Sequence, residues 1–240
     1  MQEFVRQFYP NAIESGTFVQ RTLDVLKNEY GLHPSQILLA HSICSDDVNA
    51  IAYPEEGRQM LGPFNLGGLD GYPFVGLTGM AAFAHHVPDD GAALIFYAPH
   101  IGVTAQGELG KILRVGQPAP SSCCGAAVAA LQQVWDGVEL PASPPDDNYQ
   151  QYSLVRILQA QRERILAAKY PLQEATEVIL EASSERIDHM IRNTSFTGKY
   201  IFVVSAVIIN GDRDFGSHQE LRRFERLDLE TKEVVATHTF

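Results

Sequence analysis

Cysteine is scarce in this chain: Cys44, Cys123 and Cys124 are the only three among 240 residues. An odd count cannot pair fully within the chain, and neighbours such as Cys123 and Cys124 rarely bridge each other without strain, so a disulfide framework is excluded. A reducing, cytoplasmic compartment is the expectation, in which sparse thiols are either buried packing or chemistry. The N-terminal Met1-Gln2-Glu3-Phe4-Val5-Arg6 agrees, lacking the charged n-region and apolar h-region of a secretory signal. Long apolar runs are missing too. No window approaches the roughly 18 to 20 apolar residues of a membrane helix, and no membrane partner is expected. Basic charge is also short: 18 Lys and Arg stand against 29 Asp and Glu, a formal charge of −11, and the longest basic cluster is Arg222-Arg223. A nucleic-acid binder needs clustered cations to release counterions from phosphates, so that class is excluded as well.

What is present reads as a globular protein with a substantial core, 45% hydrophobic and 20% charged. Val19, Leu23, Leu26 and Tyr30 mark one face of a helix that Gly31 ends. Residues 36–43 form a nearly continuous apolar run, a buried strand that delivers Cys44 at its C-terminal end, with helix-capping chemistry in Ser45-Asp46-Asp47. A second buried strand, 93–98, is followed by His100. Between them, residues 62–79 are dense in glycine, without the spacing of a phosphate-binding loop, and close packing is the reading. Residues 80–86 look helical, 101–120 resemble a hairpin excursion, and 126–135 form a small-residue helix preceded by Cys123-Cys124. Pro141 to Asn148 reads as a linker, and two helical runs follow it. A strong strand, 200–209, ends at an Asn210-Gly211 hairpin signal, and 224–229 and 234–239 alternate as two further strands. Strands alternating with helices predict an α/β sheet flanked by helices and extended by C-terminal antiparallel strands.

Open α/β sheets place their sites beyond the C-terminal ends of strands. Two such ends carry Cys44 and His100, and a third thiol, Cys123 or Cys124, stands at a helix N-terminus that favours a thiolate. Two thiolates and an imidazole suit Zn2+, with a fourth tetrahedral position for water that Asp46 would orient or occupy. The plainer alternative is buried packing cysteines and a hydrogen-bonded structural histidine.

The blocks Cys44-Ser-Asp-Asp-Val-Asn49, Pro63 to Phe74 with its Gly-Gly-Leu-Asp-Gly-Tyr-Pro-Phe, Thr78-Gly79-Met80, Ala82 to Gly91 with His85-His86, Tyr97-Ala-Pro-His-Ile-Gly102 and Ser122-Cys-Cys-Gly-Ala126 resemble the limiting-carbon-dioxide-inducible protein B/C family. That family includes theta-type carbonic anhydrases, relatives of the beta-type enzymes. The resemblance implies a single carbonic-anhydrase-like domain over residues 1–240: an N-terminal helical part to 34, a metal-site core over 35–140, and helices and strands over 149–240. It implies a beta-carbonic-anhydrase-like sheet, Zn2+ held by Cys44, His100 and Cys124 with Cys123 as alternate, and carbon dioxide and bicarbonate as substrates. A homodimer is implied as well.

Beta-type enzymes pair the Asp of Cys-x-Asp with an Arg two residues on. Here the Asp is Asp46, but Val48 stands at the Arg position, and Arg58 is the substitute the sequence offers. The missing Arg makes a catalytically silent binding or scaffold member the alternative reading. His86 is the rival to His100, and Phe64, Phe74 and Met80 are candidates for an apolar substrate wall or for plain core.

Overall fold

The computed structural model describes residues 2–50 and 53–240. Its helices are α1 (Gln2–Phe8), α2 (Ser15–Tyr30), α3 (Gly76–His85), α4 (Gly125–Trp135), α5 (Tyr149–Ala160), α6 (Arg162–Ala167) and α7 (Pro171–Arg192). The strands are β1 (Ile13–Glu14), β2 (Ile37–Ser42), β3 (Leu61–Asn65), β4 (Ala92–Tyr97), β5 (His100–Gly102), β6 (Lys111–Ile112), β7 (Ser121–Ser122), β8 (Tyr200–Asn210), β9 (Ser217–Leu227) and β10 (Val234–Thr237). Helix α2 buries Phe18, Leu23 and Leu26 on one face. It stops where predicted, at Gly31, whose left-handed backbone lets Gly31 N–H reach Lys27 O and Leu32 N–H reach Leu26 O.

The main sheet runs β1-β9-β8-β4-β2-β3, with β10 also on β9 and β5 also on β8. Strands β3, β2, β4 and β8 are parallel, and β9 turns back antiparallel on β8. All six residues of β4 are buried, the continuous apolar pattern of a parallel strand covered on both faces. Alternation then sorts the side chains. Leu38, Ala40, Ala93, Ile95, Ile201 and Val203 face one layer with α1, α3 and α7; Leu39, Leu94, Phe96, Phe202 and Val204 face the other, against Phe18 and Leu26 of α2. A third cluster joins α4, α5, α6 and α7 and includes Cys44 and Cys124. The alanines of α4, Ala127 and Ala130, are buried there and allow the close helix approach that their small size predicts.

Two expectations change. Strand β9 begins at Ser217, not near Phe224, and residues 211–216 connect it to β8 in place of a two-residue hairpin turn. The inner half of β9 is polar yet buried: Gln219 is 1% exposed, and Glu220 is held by Asn11 N–H and Arg222. Hydropathy therefore could not register it as a strand. Beyond the exposed residues 141–148 there are three helices, because the first helical run breaks at Gln161. Among the described residues no helix is long and apolar enough to cross a membrane.

Candidate metal centre

Strand β2 ends at Ser42, and two residues later Cys44 turns inward from the C-terminal edge of the sheet. Strand β4 ends at Tyr97, and after Ala98-Pro99 the chain re-pairs with β8 as β5, opening with His100 against Ile208. Cys124 is the N-cap of α4. It is held at the sheet edge by the preceding residue: Cys123 N–H donates to Gly110 O, and Gly102 N–H donates to Cys123 O. Gly102 has to be glycine at this crossing, since a Cβ there would lie 2.9 Å from that of Cys123 and 2.7 Å from Lys111 O. The outcome is that Cys44, His100 and Cys124, from three separate stretches of chain, each bring one ligand-type atom within 4.8 Å of the others, all three buried.

Hydrogen bonds fix which imidazole nitrogen faces this group. Asn210, at the end of β8, donates through Nδ2 to Val48 O, so its Oδ1 is an acceptor; His100 Nδ1, 2.8 Å away, must donate to it. In the neutral imidazole Nε2 then carries the lone pair, and it is buried without any hydrogen-bond partner. The Sγ atoms of Cys44 and Cys124 lie 4.0 Å apart. Two thiolates on a tetrahedral Zn2+, with Zn–S of about 2.3 Å, stand about 3.8 Å apart. An unpartnered buried lone pair beside two thiols at that separation fits the group the resemblance implies.

Around this trio sit residues the sequence did not single out. Asp70, in the loop after β3, is fully buried; its N–H donates to Cys44 Sγ (3.1 Å) and its Oδ1 accepts from His100 N–H (3.0 Å). Arg114 forks onto Asp46 with both nitrogens, Nη1 to Oδ1 and Nη2 to Oδ2, each 2.7 Å, and Nη1 also reaches Asp47. The loop carrying Arg114 is pinned by Asp212, whose carboxylate accepts from Leu113 and Ala105 N–H.

This arrangement corrects one expectation. Arg58 does not meet Asp46: it lies exposed in a short 3-10 turn, Glu56–Gln59, and the guanidinium on Asp46 is that of Arg114. His86 is also away from the trio, exposed and bonded through Nδ1 to Ala82 O in its own helix. Cys123 is fully buried on the Nδ1 side of His100, 3.6 Å from that nitrogen and 3.5 Å from Asn210 Oδ1; with Asp46 and His100 it forms a second group of potential ligands. Met80 is wholly buried core, and Phe64 packs against Phe83. Phe74 stacks edge-on against Tyr72 and Tyr149.

An open cleft leads from solvent to Cys44 and Asp46, with Ile43 and Tyr53 as its apolar wall and His41 and Asn65 along one side. The electrostatics follow from this packing. The hydrogen bond from the Cys124 thiol, with His100 and nearby N–H groups, outweighs burial and pulls Cys44 below the usual thiol range, while sharing with Cys44 and burial push Cys124 up. Burial raises Asp70 to about 7. Burial opposes ionisation of Asp46 as well, but the Arg114 fork more than offsets it and holds the carboxyl at about 2. His41 is lowered by burial.

Solved structures share this architecture. PtLCIB4, a homolog of the limiting CO2-inducible protein LCIB, superposes with a TM-score of 0.87 at 27% identity over 100% of both chains. A variant of PtLCIB4 gives 0.82 at 28% identity over 99% of each. LCIB itself matches at 0.68 and 17% identity over 96% of each chain, a likeness of fold. No curated protein matches the chain. Residues 12–228 match the family described as limiting CO2-inducible proteins B/C beta carbonic anhydrases, and the chain belongs to that family.

Proposed function

We propose that this protein catalyses the reversible hydration of carbon dioxide to bicarbonate, using Zn2+ held by Cys44 Sγ, His100 Nε2 and Cys124 Sγ. The observation that carries the reading is the convergence of these three buried atoms with Nε2 left unpartnered. When bound, zinc is a Lewis acid that makes a hydroxide nucleophile available near neutral pH.

The chain's own residues do the rest. Arg114 keeps Asp46 ionised, so its carboxylate oxygens, which line the cleft, can only accept and would hold the hydrogen of the attacking hydroxyl. Ile43 and Tyr53 offer an apolar surface to a neutral gas. Hydration releases a proton, and His41 is the imidazole of the cleft wall, its Nδ1 buried without a partner. We assign it the outward relay. His41→Ala should lower kcat several-fold in weak buffer and leave kcat/KM near wild type; equal losses in both would remove the relay role.

The test of the activity is stopped-flow carbon dioxide hydration on protein of measured zinc content, with and without chelator. Zinc-loaded protein that does not exceed the buffer rate returns the reading to the silent scaffold alternative. Val48 argued for that alternative, but Arg114 supplies from another loop the guanidinium that Val48 lacks, which favours catalysis. Homodimer formation belongs to the same proposal and follows from the resemblance to the beta-type enzymes.

A further inference from the structure

The glycine-dense loop between β3 and α3 is closely packed, but packing does not account for the residue at its centre. Asp70 is 0% exposed and takes left-handed backbone angles, φ 48° and ψ 30°, which a non-glycine residue adopts at a cost. Its contacts converge on two of the three ligand-type residues. The N–H donates to Cys44 Sγ, Oδ1 accepts from His100 N–H, and Oδ1 lies 4.0 Å from His100 Nε2. Its second oxygen, Oδ2, is buried without a hydrogen-bond partner, as is Nε2.

A carboxylate out of water is costly unless something compensates its charge. Arg114 is spent on Asp46 and Asp47, and the side chains facing Asp70 are the thiols and the imidazole of the trio, whose Nε2 has no hydrogen-bond partner. Unpartnered acceptors crowded in one buried place ask for a cation among them.

We propose that Asp70 is a positioning residue of the metal centre: it clamps Cys44 and His100 in ligating geometry, and its buried carboxylate supplies negative charge that draws a divalent cation into the site. This rests on reading the trio as a zinc site. Two substitutions tolerate the left-handed backbone and separate the roles. Asp70→Asn removes the charge and keeps an oxygen for His100 N–H. Asp70→Gly removes clamp and charge, yet keeps the backbone N–H to Cys44.

Zinc affinity is measured for wild type and both variants by competition with a chromophoric chelator, and thermal unfolding is followed in chelator-treated protein. Outer-shell partners of metal ligands typically contribute 10- to 100-fold in affinity. The expected loss is about tenfold for Asp70→Asn and about 100-fold for Asp70→Gly. Chelator-treated Asp70→Asn should unfold no lower than wild type, since it no longer buries an uncompensated carboxylate. A residue needed only for folding would lose stability and affinity together. Affinities of both variants within twofold of wild type would overturn the proposal, as would parallel loss of metal-free stability in Asp70→Asn. Wild type that binds no zinc overturns it together with the functional reading. Weakened zinc binding in the variants supports it even in a protein that hydrates no carbon dioxide, a result that sinks only the functional reading.

Discussion

Arg114 reaches Asp46 across 68 positions of sequence, and its fork occupies both carboxylate oxygens. Lysine, a single point charge, cannot reproduce that geometry. Arg114→Ala and Arg114→Lys should each cut carbon dioxide hydration by roughly 100-fold, on the scale of removing one preorganised electrostatic group. Arg58→Ala should leave the rate unchanged, and steady-state kinetics on the three variants checks both statements. The same pair sets an acid-sensitive contribution to stability. Asp46 is held at about 2 in the folded protein, below its ordinary value near 3.8, so the contribution is complete above about 4 and is lost as pH falls through 4 toward 2. Denaturation midpoints across that window should fall less steeply for Asp46→Asn than for wild type. Cys44 and His100 stood out in the sequence because each follows an apolar strand. Arg114, Asp70 and Asn210 did not: one lies in an irregular excursion, one among glycines, and one in what read as a turn signal. Their side chains matter only because the fold turns them toward the same place.

Two glycines at the edge of the site behave in opposite ways at the level of loop and helix. Gly71, directly after Asp70, has φ 72°, and a Cβ there would lie 2.3 Å from Ala98 O, on the chain that leads from β4 to His100. The Gly71 carbonyl also accepts from Ser42 Oγ at the end of β2. Gly71→Ala should therefore destabilise by about 1 to 3 kcal/mol and disturb the Asp70 loop. Gly125, the first residue of α4, has an ordinary φ and open space where a Cβ would go. Gly125→Ala should stabilise by about 0.4 to 1 kcal/mol through the unfolded chain. Urea denaturation of the two variants, with opposite signs expected, is the check. Elements with a clean period were legible: α2 with its Gly31 stop, β2, β4 and β8. The first half of β9 was not, because Gln219 and Glu220 are polar residues that tertiary partners bury.

For the whole molecule, the expected assembly is a homodimer, and light scattering at micromolar concentration should return about twice the chain mass of 26.5 kDa. A monomer would remove that part of the proposal. The proposed chemistry assigns no part to the acidic surface, since a neutral gas needs no electrostatic steering. The sequence by itself determined the class: three unpaired thiols, buried strands ending in Cys44 and near His100, and ordered blocks resembling one family. Those features are local, carried by residue type and spacing along the chain. Tertiary structure alone decided the partners. It set Cys124 against Cys44, left Nε2 of His100 free by giving Nδ1 to Asn210, brought Arg114 rather than Arg58 to Asp46, and buried Asp70 between two of the three ligand-type residues. Contacts between loops far apart in sequence have no period or spacing to read, because they come into being only when the parallel strands align their C-terminal ends.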